Sequence, residues 1–335
     1  MNIMITGGTG FVGRHLTKAL TEEDHHVYIL TRSPEKHTNT EKKTFISYNH
    51  SVEGMPAIQA VINLAGESLF GYWTEKKKES IRTSRINTTR QVVQMMDQME
   101  TKPDVFISGS AVGFYGTSED LIFTENTTQS GDDFLAEIVM EWEQTAKQAE
   151  ELGIRTVFMR FGIILGKEGA LPLMKLPVKM FAGGRIGNGE QWISWIHVED
   201  VVGLIQFCLF NQHINGPVNV TAPHPKRNKD FTHVLAKVLR RPDWIPAPSL
   251  PIRTVLGQMS LLILEGQYAF PQKAKENDFS FVYPYLQEAL QETEVRAILY
   301  RLSSHYCCYG PRNPNTRARH VASHFGEAYV LATRS

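Results

Sequence analysis

The sequence predicts an α/β fold built on a doubly wound parallel sheet, with a smaller, partly interleaved substrate domain towards the C-terminus. Three observations support this prediction. Short apolar runs alternate with longer amphipathic segments, the first run leads into a glycine-rich turn, and 335 residues suffice for one large domain and a smaller one. In such a pattern each amphipathic segment is a helix that connects two parallel strands.

The elements follow in order along the chain. The apolar runs predict strands near Ile3–Ile5, Val27–Leu30, Ala60–Leu64, Val105–Ser108 and Thr156–Phe161. The amphipathic segments predict helices at Phe11–Leu20, at Glu75–Met99, and from Asp132 or Asp133 to Leu152. Pro103 stops the second helix and Gly153 ends the third. His197 and Asp200 are expected to form a cap between a strand and a later helix, in which Asp200 satisfies the free N–H groups at the start of Val201–Phe210. Beyond Gly166 proline and glycine become frequent, which indicates the smaller domain.

The composition favours a small-molecule ligand. Lysine and arginine number 35 against 35 acidic residues, so the overall charge does not indicate nucleic acid, an anionic membrane or a polyacidic partner. Cys208, Cys307 and Cys308 have the spacing of neither a disulfide framework nor a metal site. No apolar stretch approaches the roughly 20 residues of a membrane span, and the apolar N-terminus is too short for a signal peptide. We therefore expect a soluble, cytoplasmic protein that binds no metal.

A glycine-rich turn of residues 6–13, TGGTGFVG, lies between the first predicted strand and the first predicted helix. Glycines at this spacing permit a tight turn, a close approach of the backbone to a pyrophosphate, and close packing of the helix on the sheet. The N–H groups that begin the helix then hold the phosphates. This strand–turn–helix context predicts a dinucleotide-binding Rossmann fold. The expected cofactor contacts are Gly7, Thr9, Gly10, Phe11, Val12 and Gly13.

The end of the second predicted strand indicates which dinucleotide is bound. A protein that uses NAD usually carries an acid there to bind the ribose 2′-hydroxyl, whereas this chain has Arg32 and Ser33. A guanidinium and a hydroxyl suit a 2′-phosphate, so the predicted cofactor is NADP(H). A solvated surface arginine is the alternative interpretation. The residues expected to border the nicotinamide ribose end the next strand, and they are Asn63, Leu64, Ala65 and Gly66.

Further motifs accompany these residues, namely Ser84–Thr88, Ser110–Gly116, Phe134–Glu137, Arg160–Gly166, Ser194–Asp200 and Phe270–Ala274. With the glycine turn they resemble the extended short-chain dehydrogenases/reductases, and within them a branch labelled epimerase-family or YfcH-like proteins. The resemblance covers about Met1 to Glu292. It implies an NADP-linked oxidoreductase or sugar-nucleotide epimerase fold, the branch's C-terminal domain of unknown function, and a homodimer, but it does not supply a substrate.

Three regions are predicted on this basis. Residues 1–166 form the NADP-binding Rossmann domain, and residues 167–292 form the substrate-side region, some segments of which return to the sheet. Residues 293–335 form an atypical tail. From residue 294 onward there are six arginines, no lysine and two of the three cysteines, with no regular apolar period. This tail is interpreted as an appendage of non-native origin or as a natural flexible extension.

The catalytic pair that short-chain dehydrogenases typically use is absent. They use a tyrosine as general acid/base and a lysine four residues later, and the corresponding helix carries Leu135 and Val139 at these positions. The loop after the fourth predicted strand offers Ser110 and Tyr115 as the expected catalytic residues. A tyrosine that supports the loop is the alternative for Tyr115, and Glu137 is a further candidate acid or base.

Substrate-binding residues are expected on the long second helix and beyond it. Arg85 is expected to meet an anionic substrate, and the resemblance implies that Asn87 helps to line the site. Arg160 and Trp195 are expected at the border of the substrate cleft, although interface packing explains the tryptophan equally well.

Two functions fit the sequence. The first is an NADP(H)-dependent reductase or epimerase-like enzyme that acts on an unidentified small molecule. The second is a protein that binds or senses NADPH without turnover. The missing tyrosine and lysine favour the second, whereas the neighbourhood of Arg85, Asn87, Ser110 and Trp195 favours the first.

Overall fold

A computed structural model describes residues 1–294 of the chain. Two compact units are present, Met1–Leu290 and Gln291–Ser335. Within the second unit the described residues, 291–294, are helical. The predicted tail of residues 293–335 lies outside the described residues apart from its first two positions.

Strands and helices alternate along the first unit. The strands are β1 (Asn2–Thr6), β2 (His26–Leu30), β3 (Lys43–Ile46), β4 (Ala60–Asn63), β5 (Val105–Ala111), β6 (Ile122–Phe123), β7 (Arg155–Phe161), β8 (Ile163–Leu165), β9 (Trp192–Ile193), β10 (Trp195–His197), β11 (Gly216–Val220), β12 (Lys226–Arg227) and β13 (Tyr268–Ala269). The α-helices are α1 (Phe11–Glu22), α2 (Glu75–Gln98), α3 (Phe134–Lys147), α4 (Leu171–Lys179), α5 (Val198–Phe210), α6 (Asn228–Leu239), α7 (Ser249–Leu256), α8 (Leu261–Leu264) and α9 (Gln272–Glu276), and residues 286–290 begin a further helix. Short 3-10 turns lie at Pro34–Lys36, Val112–Tyr115, Gln148–Leu152 and Gly257–Ser260.

Seven of these strands form one sheet in the order β11-β7-β5-β4-β1-β2-β3, and every neighbouring pair is parallel. The order reverses between β1 and β4, so the chain leaves these two strands towards opposite sides and a crevice opens at their carboxyl ends. This topology confirms the predicted doubly wound Rossmann fold. The sequence does not predict β3 and β11, because β3 is a short, half-polar run and β11 begins with Gly216 and Pro217.

The ends of α3 follow local signals in the sequence. The carboxylate of Asp133 accepts hydrogen bonds from the N–H groups of Leu135 at 2.8 Å and Ala136 at 3.1 Å, which confirms the predicted start of the helix. The 3-10 turn that follows α3 ends at Gly153, which has a left-handed φ of +77°. This glycine confirms the predicted end.

The predicted start of α5 and the predicted capping role of Asp200 are wrong, because the helix begins at Val198, whereas the predicted cap at His197 is confirmed. His197 is its N-cap residue, and the ring Nδ1 accepts a hydrogen bond at 3.3 Å from the N–H two residues on. Asp200 lies inside the first turn, where its carboxylate accepts from the N–H groups of Val282 at 2.6 Å and Tyr283 at 3.0 Å. Asp200 therefore anchors a C-terminal segment and does not cap the helix.

The core lies on both faces of the sheet, because successive residues of a strand point to opposite sides. Ile3 and Ile5 of β1 belong to a cluster with α1 and α5, whereas Met4 packs in a second cluster with α2 and α3. A third cluster joins α4 and α6 around Trp195 and Phe231. None of the described helices combines the length and the apolar character that a membrane crossing requires.

The segment from β13 to α9 returns to the sheet domain. β13 pairs in parallel with β6. The buried carboxylate of Glu125 accepts hydrogen bonds from the N–H of Asn219 on β11 at 2.9 Å and from that of Gln272 at the start of α9 at 3.1 Å. Met1–Leu290 forms one compact unit, and the domain boundary at residue 166 stays a prediction.

Candidate functional site

Two glycines of the turn are required by its own packing. Gly7 has a φ of +69°, and a Cβ there would lie 2.7 Å from the carbonyl carbon of Leu64 at the end of β4. A Cβ at Gly13 would lie 2.1 Å from the carbonyl oxygen of Gly7. Both approaches are too close for a side chain, so these glycines keep β1, β4 and α1 close together.

Gly10 is less constrained by packing than these two glycines. Its φ of −78° and ψ of 179° suit other residues, and, its chain neighbours aside, a Cβ there would meet the carbonyl oxygen of Gly7 at 3.1 Å, a tight contact that a small shift relieves. Gly10 is exposed at the start of α1, where no side chain caps the helix. The open space in front of uncapped N–H groups fits the pyrophosphate of a dinucleotide.

A buried hydrogen-bond network connects the glycine turn to α2 and α3. Thr6 Oγ1 donates to Asn63 Oδ1 at 2.6 Å, and Asn63 Nδ2 donates to Thr89 Oγ1 at 2.8 Å. Trp142 Nε1 donates to the same threonine oxygen at 2.9 Å. Asn63 is therefore a buried support for the end of β4. Of the four residues predicted to border the ribose, Gly66 alone is exposed.

Arg32 lies exposed at the end of β2, on the edge of the sheet that carries the glycine turn. Across residues 1–294 it has no ion pair or hydrogen-bond partner. Its charge acts on Glu67, the pKa of which is lowered first by Lys77 and also by Arg32. Ser33 follows it directly. Arg32 is thus an unpaired cation at the place where a 2′-phosphate is expected.

Arg85 lies half-buried on α2, next to the end of β4. Its Nη1 donates to the carbonyl oxygens of Glu67 at 3.1 Å and Ile81 at 3.0 Å. The guanidinium carbon lies 5.3 Å from the ring centroid of Trp142, in a cation–π contact. Burial lowers the pKa of Arg85 to about 10, so this side chain is still a cation at neutral pH.

Ser110 and Arg160 belong to a buried cluster rather than to an open cleft. Ser110 Oγ donates to Glu143 Oε1 at 2.6 Å, and Arg160 binds both oxygens of Glu143 through Nε and Nη2 at 2.8 Å each. Ser110 is 2% exposed and Arg160 is 3% exposed. The prediction of a cleft arginine is therefore wrong, and the predicted catalytic hydroxyl is occupied by a carboxylate of α3. The cluster joins β5, β7 and α3.

Tyr115 supports the loop after β5 from inside the protein. The single hydrogen of its hydroxyl has two acceptors within reach, Asn219 Oδ1 at 2.8 Å and the carbonyl oxygen of Thr124 at 3.0 Å. The side chain is 4% exposed and stacks on the ring of Phe123. Burial raises the pKa of Tyr115, which disfavours its ionised form. This arrangement favours the alternative interpretation of Tyr115, in which the tyrosine supports the loop, over the catalytic one.

Two residues predicted to contact substrate also lie elsewhere. Asn87 is exposed and accepts a hydrogen bond from Arg90 at 3.0 Å. Because two helical positions separate it from Arg85, the two residues point to opposite sides of α2. Trp195 is completely buried, and its Nε1 donates to the carbonyl oxygen of His224 at 3.1 Å. Trp195 is thus packed inside the protein, and its predicted contact with substrate stays a prediction.

The helix positions that lack tyrosine and lysine do face the loop after β5. A Cβ at Gly113 would lie 3.6 Å from the Cβ of Leu135, and Val139 packs with Val112 in one apolar cluster. Glu137 is exposed on α3. At these two positions α3 therefore presents apolar side chains, which transfer no proton.

A cavity of about 490 Å³ lies where three segments meet, residues 117–119, 187–191 and 249–266. Thr117 Oγ1 donates to Glu265 Oε2 at 3.1 Å, which joins the loop after β5 to the C-terminal segment. Sequence reasoning did not identify this wall of the cavity, because residues 249–266 carry no motif with a known chemical role.

Comparison with known proteins identifies the family. The model of the NAD dependent epimerase/dehydratase family matches residues 3–221, more than half of the chain. The chain belongs to this family. This match confirms the resemblance to the family that the sequence motifs indicated. Residues 247–293 match a domain of unknown function, DUF1731, which includes much of the C-terminal cavity wall.

Relatives of the family cover nearly the whole described chain. The Epimerase family protein YfhF of Bacillus subtilis is 48% identical over 298 residues, which span 87% of this chain and 97% of that protein. The Epimerase family protein SDR39U1 homolog, chloroplastic, of Arabidopsis thaliana is 41% identical, over 87% of this chain and 86% of that protein. The crystal structure of the human epimerase family protein SDR39U1 (isoform 2) with NADPH is similar with a TM-score of 0.79 and 29% identity, covering 88% of this chain and 99% of that one.

Proposed function

We propose that the protein is an NADP(H)-dependent oxidoreductase of an epimerase-like type that acts on a small molecule. The observation that carries the proposal is the N-terminus of α1 at the exposed Gly10, where no side chain caps the helix. The crevice between β1 and β4 and the membership of the family support a dinucleotide at this place. The human relative, the structure of which was solved with NADPH, supports it further.

The preference for NADP(H) over NAD(H) rests on Arg32. This cation has no partner among residues 1–294, and it follows β2 at the position where an NAD-binding protein usually carries an acid. A planar guanidinium binds a phosphate with two hydrogen bonds, whereas a ribose hydroxyl offers it no comparable contact. The hydroxyl of Ser33 provides a further donor beside it.

When bound, the nicotinamide supplies or accepts a hydride. The protein's own contribution at this end of the site is to admit the ribose beside the exposed Gly66 and to exclude water with Leu135 and Val139. Neither apolar side chain transfers a proton, and the hydroxyls of Ser110 and Tyr115 are bonded to protein groups. Turnover therefore requires a proton from a group outside this set, such as one carried by the substrate.

The apolar residues Leu135 and Val139 favour a second candidate function, in which the protein binds or senses NADPH without turnover. Leu135 and Val139 stand where a catalytic pair would act, so loss of catalysis with retained cofactor binding is consistent with the site.

The two cofactors should be titrated against the parent, Arg32→Ala and the control Arg90→Ala, which removes another exposed arginine, bonded to Asn87. We expect NADPH to bind the parent more tightly than NADH. Arg32→Ala should lower NADPH affinity by about 10- to 150-fold, since one charged hydrogen-bond contact contributes about 1.5–3 kcal/mol. Affinity for NADH, and both affinities of Arg90→Ala, should stay at parental values. Similar affinities of the parent for NADPH and NADH would contradict the preference.

Turnover is tested separately, by following the oxidation of NADPH with a panel of aldehydes, ketones and enones. Hydride transfer to any member supports the enzyme. Tight binding of NADPH without oxidation across the panel favours the binding or sensing protein.

A further inference from the structure

Arg85 differs from Arg160, which is buried, and from Arg155, which is half-buried like itself, in the groups that hold it. Arg160 binds the carboxylate of Glu143 with two hydrogen bonds, and Arg155 donates to three carbonyl oxygens. Arg85 contacts no carboxylate within residues 1–294, and only its Nη1 donates, to the carbonyl oxygens of Glu67 and Ile81. Its Nε and Nη2 have no protein partner among the same residues.

The side chain is nevertheless held in one orientation. Two backbone carbonyls hold Nη1, and the ring of Trp142 supports the guanidinium at 5.3 Å. Trp142 is itself anchored by Thr89, to which its Nε1 donates at 2.9 Å. A donor that is positioned before its ligand arrives binds at a lower entropic cost than a free side chain.

The unpaired edge of the guanidinium lies at the cofactor cleft. A Cβ at Gly66 would lie 3.3 Å from Cζ and 3.5 Å from Nη2 of Arg85, and Gly66 is exposed just beyond the end of β4. In the described chain, buried side-chain nitrogens without a hydrogen-bond partner do not include Nε or Nη2 of Arg85, so these two nitrogens are open to solvent. The edge formed by these two nitrogens is the one that binds a carboxylate or phosphate with two parallel hydrogen bonds.

The charges around Arg85 leave an excess of positive charge. Glu67 is the acid that acts on Arg85, but its Oε1 lies 2.7 Å from Lys77 Nζ and is already paired. The pKa of Glu67 is lowered first by Lys77 and then by Arg32 and Arg85. Three cations thus share one carboxylate at the end of β4, which favours an anion beside them.

We infer that Arg85 forms a binding site for an anionic group, a carboxylate or a phosphate, beside Gly66 at the cofactor cleft. The inference rests on the proposed function in that it adds an anionic substrate class to the cofactor site. The anion has two possible sources, an acidic group of the substrate or a phosphate of the cofactor. Both present the paired oxygens that the free edge of Arg85 binds.

The test measures two affinities in parallel, that of NADPH for the protein alone and that of oxalate or inorganic phosphate for the protein saturated with NADPH. Calorimetry is applied to the parent, to Arg85→Gln and to Arg82→Gln. Arg82 lies three residues earlier on α2 and pairs with Glu141, so its variant removes the same charge from the same helix. Arg85→Lys keeps the charge without the planar fork and serves if Arg85→Gln fails to fold.

If the anion belongs to the substrate, the saturated parent binds oxalate or phosphate, and Arg85→Gln loses at least about tenfold in that affinity while its NADPH affinity is unchanged. If it belongs to the cofactor, Arg85→Gln loses at least about tenfold in NADPH affinity, and the saturated parent no longer binds the small anion. Arg85→Lys should show a loss of the same kind, and Arg82→Gln should show neither.

Parental affinities for both ligands in Arg85→Gln, or in Arg85→Lys should the first variant not fold, would overturn the inference. An equal loss of anion affinity in Arg82→Gln would also overturn it, because the effect would then be that of general charge. A failure of the proposed function is seen separately, as a parent that does not bind NADPH. In that case the small anions are titrated against the protein alone, where the same contrast between Arg85 and Arg82 decides.

Discussion

The open space at Gly10 leads to a prediction for Gly10→Ala. Alanine suits the φ of −78° and ψ of 179° at this position, and its Cβ would meet only the carbonyl oxygen of Gly7, at 3.1 Å. Alanine is a poorer N-cap residue than glycine by a few tenths to about 1 kcal/mol, whereas it restricts the unfolded chain and so favours folding by about 0.4–1 kcal/mol. These two effects nearly cancel, and the carbonyl of Gly7 needs to move by only a few tenths of an ångström to admit the Cβ. We therefore expect the free energy of unfolding to change by less than about 1 kcal/mol.

The affinity for NADPH should fall instead. The methyl group of alanine would occupy the space in front of the N–H groups that begin α1, where the pyrophosphate is expected. Losing one hydrogen bond to a charged group costs about 1.5–3 kcal/mol. This loss corresponds to an increase in Kd of about 10- to 150-fold.

NADPH fluorescence titrations and thermal unfolding of the parent and the variant give both quantities. Gly13→Ala provides the contrast, because its Cβ would lie 2.1 Å from the carbonyl oxygen of Gly7. That variant should lose thermal stability first. A Gly10→Ala protein that binds NADPH as tightly as the parent would refute the inference that phosphate enters this space. A large fall in its melting temperature would refute the packing argument.

Two further substitutions test the roles that the structure gives to Ser110 and Asp200. Ser110→Ala removes the hydrogen bond to Glu143 and should lower the free energy of unfolding by about 1.5–3 kcal/mol. The affinity for NADPH should not change. Reduced turnover at unchanged stability would instead support a catalytic role for Ser110. Asp200→Ala leaves the N–H groups of Val282 and Tyr283 without their acceptor. It should lower the free energy of unfolding, measured by urea denaturation, by about 2 kcal/mol or more. Parental stability of Asp200→Ala would show that this anchor does not hold the C-terminal segment.

The order of the central elements could be predicted because it depends on neighbours in the chain. β1, the glycine turn and α1 follow from an apolar run, a fixed glycine spacing and a helical period, and the closing hydrogen bond from Gly10 N to the carbonyl of Gly7 spans three residues. Asp133 and Gly153 are local signals of the same kind. The edge strands β3 and β11 were not predicted, because their apolar pattern is weak. Each is held in the sheet by pairing with its one neighbouring strand, which the local sequence does not show.

The missing catalytic pair is likewise determined by sequence alone. Leu135 and Val139 have no proton to transfer in any conformation. The structure adds that these positions do face the loop after β5.

The tertiary structure alone decided what the polar residues of the site do. Ser110 meets Glu143 33 positions later in the chain, and Tyr115 meets Asn219 104 positions later. The sequence around either hydroxyl is equally compatible with an open and an occupied group. Arg85 is the opposite case, because the acid nearest to it is already paired with Lys77. Periodicity and turns depend on residues a few positions apart, whereas the burial and pairing of a polar group depend on distant segments that only folding brings beside it.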